Sequence, residues 1–194
     1  MTELVFATNN AHKLEEVTDI LGPAFDIITL RKCSITEEIP ENEPDIEGNA
    51  LAKARYVYEK TGLYCFADDT GMEVRALGGA PGVRSARYAG GGHDFEANVR
   101  LLLANLEGKE DRTARFRTVI ALILEGEEYT FEGIINGRIT ESVEGTGGFG
   151  YDPVFIPDGY DETFAQMPAA LKNEISHRAA AVRKLKEFLL KEGT

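Results

Sequence analysis

The chain has 194 residues, enough to bury a sizeable core, and its composition, 43% hydrophobic and 28% charged, is that of a globular protein without a membrane-spanning apolar run. A formal net charge of -12 excludes a broad basic surface for DNA or RNA polymers, but leaves room for a local Lys/Arg cluster around a small phosphorylated ligand. Cys33 and Cys65, well separated and without metal-ligand spacing, point to reduced thiols, and an N-terminus lacking a basic n-region points to a cytoplasmic protein.

Glu3 to Thr8 reads as a first strand and Ala11 to Leu21 as an amphipathic helix, with Leu14, Val17 and Leu21 at helical spacing. Between them, Thr8-Asn9-Asn10-Ala11-His12-Lys13 turns strand directly into helix. Such a turn presents backbone N–H groups and the positive end of the helix dipole to an anion. Lys13 adds a charge, and Thr8 and Asn10 add hydrogen bonds of the kind a phosphate accepts. The plainer alternative is that Asn9 or Asn10 caps the helix while Lys13 is solvated; His12 reads as a solvated neighbour. The Walker A pattern is absent.

Phe25 to Leu30 reads as a second strand, and Glu37 to Asp45 as an acidic loop broken by Pro40 and Pro44. Ile46 to Lys60 follows as a helix with Ile46, Ala50, Ala54 and Val57 along one side; by residue type alone Lys53 reads as a surface lysine. Leu63 to Ala67 is apolar and suits a buried strand, which places Asp68-Asp69-Thr70-Gly71 where that strand leaves the core. Strand exits of α/β sheets are where ligands bind, so this carboxylate pair is read as the active centre; the alternative is a turn whose aspartates bond only backbone amides.

Met72 to Val74 reads as a short strand, Ala76 to Gly92 as a Gly/Pro-rich loop, and His93 to Leu106 as a helix. Ala114 to Leu124, Tyr129 to Ile135 and Arg138 to Val143 read as strands, the first two joined by a turn at Glu125-Gly126-Glu127-Glu128 and the last two by a hairpin at Asn136-Gly137. The result is an α/β fold with a mixed sheet. Four glycines surround Phe149, allowing close backbone approach to a ligand and offering a ring on which a base could stack; a flexible strand connection is the alternative. Ala169 to Leu190 is helical in pattern, interrupted at Ser176-His177-Arg178. Positive charge at a helix start is ill placed unless an acceptor faces it. No linker divides the chain, which reads as one domain over 1–194.

Taken together, Thr8 to Lys13, Ala67-Asp68-Asp69-Thr70-Gly71, Leu77-Gly78-Gly79-Ala80-Pro81-Gly82, Gly148-Phe149-Gly150-Tyr151-Asp152-Pro153 and Ser176-His177-Arg178 resemble the inosine triphosphate pyrophosphatase (Ham1-like) family, essentially end to end. The resemblance implies hydrolysis of ITP, dITP and XTP to the monophosphate and pyrophosphate with Mg2+, in a homodimer. It implies an elongated mixed sheet flanked by helices, in two lobes with the active site in the cleft between them. Carried over by motif, Thr8, Asn9, Asn10, Ala11, His12 and Lys13 form the triphosphate cradle, with Lys53 on the same phosphates and Thr70 where many members have serine. Asp69 matches the general base and metal ligand, Asp68 would help hold the metal, and Glu41 sits where a further metal carboxylate is placed. Phe149, Gly150, Tyr151 and Asp152 match the base-binding loop, and Lys172, His177 and Arg178 the base-recognition residues. The partner is then a small nucleotide, with no nucleic-acid polymer and no membrane. The competing expectations are a Maf-like pyrophosphatase acting on other nucleotides, and a nucleotide-binding sensor without turnover.

Overall fold

The structure, a computed structural model, describes residues 2–193. Strand β1 (Thr2–Phe6) leads through Asn10 into helix α1 (Ala11–Leu21), the span its apolar spacing predicts. Asn10 starts the helix by accepting the N–H groups of His12 and Lys13 at 3.0 and 3.2 Å, and Gly22, at φ 72°, ends it. After β2 (Phe25–Thr29), residues 37–45 form no helix or strand, as their prolines predict. Helix α2 (Ile46–Thr61) is capped by Asp45, which accepts the Gly48 N–H at 2.7 Å, and buries the expected stripe of Ile46, Ala50, Ala54 and Val57.

The remaining elements are β3 (Cys65–Val74), β4 (Pro81–Gly82), α3 (Phe95–Asn105), β5 (Thr113–Leu124), β6 (Glu127–Ile139), β7 (Phe155–Pro157), α4 (Ala169–Ile175) and α5 (His177–Glu192). The strands make one mixed sheet in the order β2-β1-β3-β5-β6-β7, with β4 on β3. The chain forms two compact units, to each of which β3, β5 and β6 contribute.

The first unit comprises the chain up to Asp69, Thr118–Gly133 and the residues from Arg178 onward. Here β1 pairs in parallel with β2 (Leu4↔Ile27) and with β3 (Phe6↔Phe66). Its core gathers Leu4, Phe6, Phe66, Val17, Leu21, Leu185 and Leu189, with the rings of Phe6 and Phe66 stacked at 4.5 Å. The second unit, Thr70–Arg117 with Ile134–His177, pairs β3 with β4 and β6 with β7, both antiparallel. Met72, Val74, Leu102, Phe116, Phe155 and Phe164 fill its core. Arg112 ties its elements together, donating to the carbonyls of Leu106, Ile139 and Thr140.

Two expectations are corrected. The strand expected to stop at Ala67 continues to Val74, so Asp68 and Asp69 lie inside β3 rather than at its exit. The cations described below take the charges that would otherwise end a strand in the core. The hairpin expected at Asn136-Gly137 is absent, because β6 runs straight through it. The turn expected at Glu125-Gly126-Glu127-Glu128 does form: Glu125 (φ 54°) and Gly126 (φ 84°) are both left-handed, as a two-residue hairpin requires. Gly137 is needed for another reason: a Cβ there would run into the Ile156 carbonyl oxygen and the Phe155 ring of β7.

Both cysteines are free thiols, as read. Cys65 is fully buried, its Sγ 3.3 Å from the Ala54 carbonyl, and burial pushes it up to about 12; Cys33 is half-buried. A disulfide reagent at pH 8 is therefore expected to titrate only Cys33 in the native protein, with Cys65 reacting on unfolding. Two equivalents consumed at one fast rate without denaturant would contradict this burial. Among the described residues, no helix is long and apolar enough to cross a membrane.

Candidate active site

Consecutive residues of a strand point to opposite faces, and β3 uses this to separate the two aspartates. Phe66 and Asp68 face α1 and α5, whereas Cys65 and Asp69 face α2. Asp68, 1% exposed, is held by two cations: Lys13 Nζ lies 3.0 Å from Oδ1, and Arg178 Nε 3.1 Å from Oδ2. Arg178 also donates to Glu16. The charge that looked ill placed at the start of α5 thus has two acceptors. Burial opposes ionisation of Asp68, but Lys13, Arg178 and Lys53 outweigh it and hold the carboxyl well below the usual range.

On the other face, Lys53 is buried rather than at the surface. Its Nζ donates to Glu41 Oε1 and to the Asp68 carbonyl, both at 2.7 Å, and lies 3.6 Å from Asp69 Oδ1. Burial weighs against its charge, but Asp69, Glu41 and Asp68 more than offset that and raise its pKa. Lys13 goes the other way, lowered by burial against the pull of Asp68. Asp69 is raised, first by burial and then by Glu41 and Asp68, with Lys53 and Lys13 opposing.

In the strand-to-helix turn, Asn10 caps α1, as the plainer reading had it, while Lys13 is on Asp68 rather than solvated. Thr8 Oγ1 accepts the Asn10 N–H at 3.1 Å; Asn9, Ala11 and His12 are exposed, and Thr70 follows on β3, half-buried. Sequence reasoning missed two residues here. Glu16 lies three positions after Lys13, and Asn49 four before Lys53, spacings that put each pair on one helix face.

A second cluster belongs to the second unit. Asp152 Oδ2 accepts from the Phe149 N–H at 3.0 Å and from Lys172 Nζ at 2.6 Å, and Asp152 and Lys172 are both buried. Lys172 Nζ stands 4.9 Å from the Phe149 ring centroid and 5.7 Å from that of Phe164. Gly148, at φ 67°, leaves the space that the Asp152 carboxylate fills, and Gly150 turns the chain at φ 61°. The Tyr151 hydroxyl anchors the loop on the Ser85 carbonyl at 2.6 Å, and its burial raises the phenol pKa. His177 is buried, stacked 4.5 Å from Phe116. The Arg178 guanidinium, by contrast, contacts Asp68 and Glu16 in the first unit.

The oxygen donors fit a hard divalent cation. Glu41 and Asp69 converge on one lysine, so two carboxylates with ligating oxygens stand together at one place. No group of three or more His, Cys, Asp or Glu is gathered among the described residues, but Mg2+ keeps its waters and needs only one or two carboxylates beside substrate phosphates.

The model of the Ham1 family matches residues 4–188. A dITP/XTP pyrophosphatase of Porphyromonas gingivalis is 53% identical over 191 residues, covering 98% of this chain and 98% of its own. One of Flavobacterium johnsoniae is 50% identical over 187 residues, covering 96% and 97%. Among solved structures, a HAM1 protein from Coxiella burnetii matches with a TM-score of 0.90 at 35% identity, covering 98% of this chain and 100% of that one.

Proposed function

Because this chain belongs to the Ham1 family, we propose that it hydrolyses non-standard purine nucleoside triphosphates, ITP, dITP and XTP, to the monophosphate and pyrophosphate. The observation that carries the reading is the convergence of Lys13 and Lys53 with Asp68, Asp69 and Glu41 within a chain closely related to dITP/XTP pyrophosphatases. Those relatives disfavour the Maf-like alternative.

Roles follow from chemistry. Lys13 and Lys53, held by carboxylates in the free protein, exchange them for phosphate oxygens beside the N–H groups at the start of α1. Asp69, the carboxylate held between Asn49 and Lys53, takes the proton of the attacking water. Glu41 and Asp69 would hold Mg2+, which when bound neutralises phosphate oxygens. Asp68, each oxygen already on a cation, maintains Lys13 and Arg178 rather than ligating the metal. Phe149 stacks on the base, and Lys172, oriented by Asp152, donates to a 6-keto oxygen where adenine would present an amine.

The test is to incubate the protein with Mg2+ and, separately, ITP, dITP, XTP, GTP, ATP and dTTP, assaying pyrophosphate and orthophosphate independently. Pyrophosphate is expected chiefly from the first three and from none after chelation. Orthophosphate alone or a pyrimidine preference would overturn the reading, and absent turnover would favour a sensor. The family resemblance also supports a homodimer, which light scattering of the same preparation would refute by returning the mass of one chain. The nucleotide pool as substrate supports a cytoplasmic enzyme; activity confined to an extracytoplasmic fraction would refute that.

A further inference from the structure

Asn49 lies in none of the motifs that carry the family resemblance, yet it is 2% exposed and both ends of its carboxamide are engaged. Its Oδ1 accepts the backbone N–H of Glu43 at 3.0 Å, and that bond settles which way the amide faces, since only the oxygen can accept there. Nδ2 is thereby turned to Asp69, donating to Oδ2 at 3.3 Å. The other Asp69 oxygen, Oδ1, faces Lys53 at 3.6 Å. One neutral amide therefore joins two parts of the site: the carboxylate of Asp69 and the backbone two residues from Glu41.

We propose that Asn49 is a positioning residue for the hydrolysis, setting the rotation of the Asp69 carboxylate through Nδ2 while anchoring the Glu41 loop through Oδ1. A free carboxylate turns about its Cβ–Cγ bond, and a base acts only when an oxygen lone pair points at the proton it removes. A donor on Oδ2 leaves Oδ1 as the oxygen presented towards Lys53. Because the donor is an uncharged amide, it orients Asp69 without adding a second positive charge to the one on Lys53. The loop it anchors has no helix or strand of its own, so the bond at Glu43 helps keep Glu41 within 2.7 Å of Lys53. The inference rests on the role assigned above to Asp69.

Two variants separate the functions of the two ends. Asn49→Asp keeps the shape and an acceptor for the Glu43 N–H but presents an oxygen, not a donor, to Asp69. Asn49→Ala removes both. With ITP and Mg2+, Asn49→Asp is expected to lower kcat by about 10- to 100-fold, as loss of an orienting partner does, with KM little changed. Hydrogen exchange at the Glu43 amide is expected to stay at the wild-type rate in Asn49→Asp and to accelerate in Asn49→Ala. Wild-type kcat in Asn49→Asp would overturn the proposal. So would a loss of kcat accompanied by lost Glu43 protection in both variants, which would make Asn49 a loop anchor alone. If Asn49→Asp does not fold, the side-chain amide protons of Asn49 in the wild-type chain decide: their exchange must accelerate in Asp69→Ala, and unchanged exchange would refute the contact. Asp69→Asn run alongside distinguishes the two levels of failure. Full activity in that variant refutes the role of Asp69, whereas inactivity there with an unimpaired Asn49→Asp refutes only the inference about Asn49.

Discussion

Asp69→Asn is expected to lower kcat for ITP by between about 100- and 10,000-fold, the range for loss of a general base, while nucleotide still binds. The substitution keeps the shape at position 69 and removes only the proton acceptor and its charge. Lys53 does not lose its place, because Glu41 and the Asp68 carbonyl hold its Nζ at 2.7 Å each while Asp69 stands further off at 3.6 Å. The phosphate-binding cations should therefore survive the change, and the effect should fall on turnover. Steady-state rates paired with equilibrium binding of ITP in the presence of Ca2+ make the comparison. A rate within a few-fold of wild type would mean that another group takes the proton; lost binding with it would mean that position 69 chiefly holds the substrate.

Asp68→Asn should act on stability. Asp68 sits between Lys13 and Arg178, at 1%, 15% and 2% side-chain exposure. Removing the anion takes a carboxylate away from a fully buried guanidinium and from the lysine beside it, at a cost on the order of 3 kcal/mol. That is a large share of the roughly 5–15 kcal/mol that holds a domain together. The cost should depend on pH in a definite direction. The folded pKa of Asp68 is depressed, so its contribution is complete above the unfolded value of about 3.9 and declines as pH falls, because the unfolded chain takes up a proton that the folded chain refuses. Denaturant midpoints of wild type and variant should be far apart at pH 7 and draw together below about pH 4. A gap of constant width down to pH 3 would show that the ion pairs are not its cause.

What the sequence disclosed, and what it hid, divides along the range of the forces involved. The bounds of α1 were legible because Asn10, the Leu14-Val17-Leu21 spacing and Gly22 are all local signals that agree. Asn136-Gly137 carried an equally local signal, and there the sheet overrode it: Gly137 serves the close approach of β7, which a turn rule does not contain. Lys53 read as a surface lysine because residue type alone favours that, and its burial is made tolerable by Asp69 and the Asp68 carbonyl on β3 together with Glu41, twelve residues earlier on an irregular loop. The strand through Asp68 and Asp69 was cut short for the same reason, since the partners that neutralise Asp68 are 55 and 110 residues away. Glu16 and Asn49 shared helix faces with Lys13 and Lys53, a regularity visible in the sequence but without meaning until the other sides of those contacts are known.

The alternation along β3 has a consequence for how this gene can change. Deleting a single codon between those for Cys65 and Asp68 would leave the Asp-Asp-Thr-Gly string intact as text, yet every downstream side chain would arrive at the opposite face. Asp69 would be delivered to Lys13 and Arg178, and Thr70 to Asn49 and Lys53. Such a lesion would still match a pattern search and would have lost its chemistry on the α2 side. In this strand, then, point changes test one residue at a time, whereas length changes rewrite both halves of the charge arrangement together.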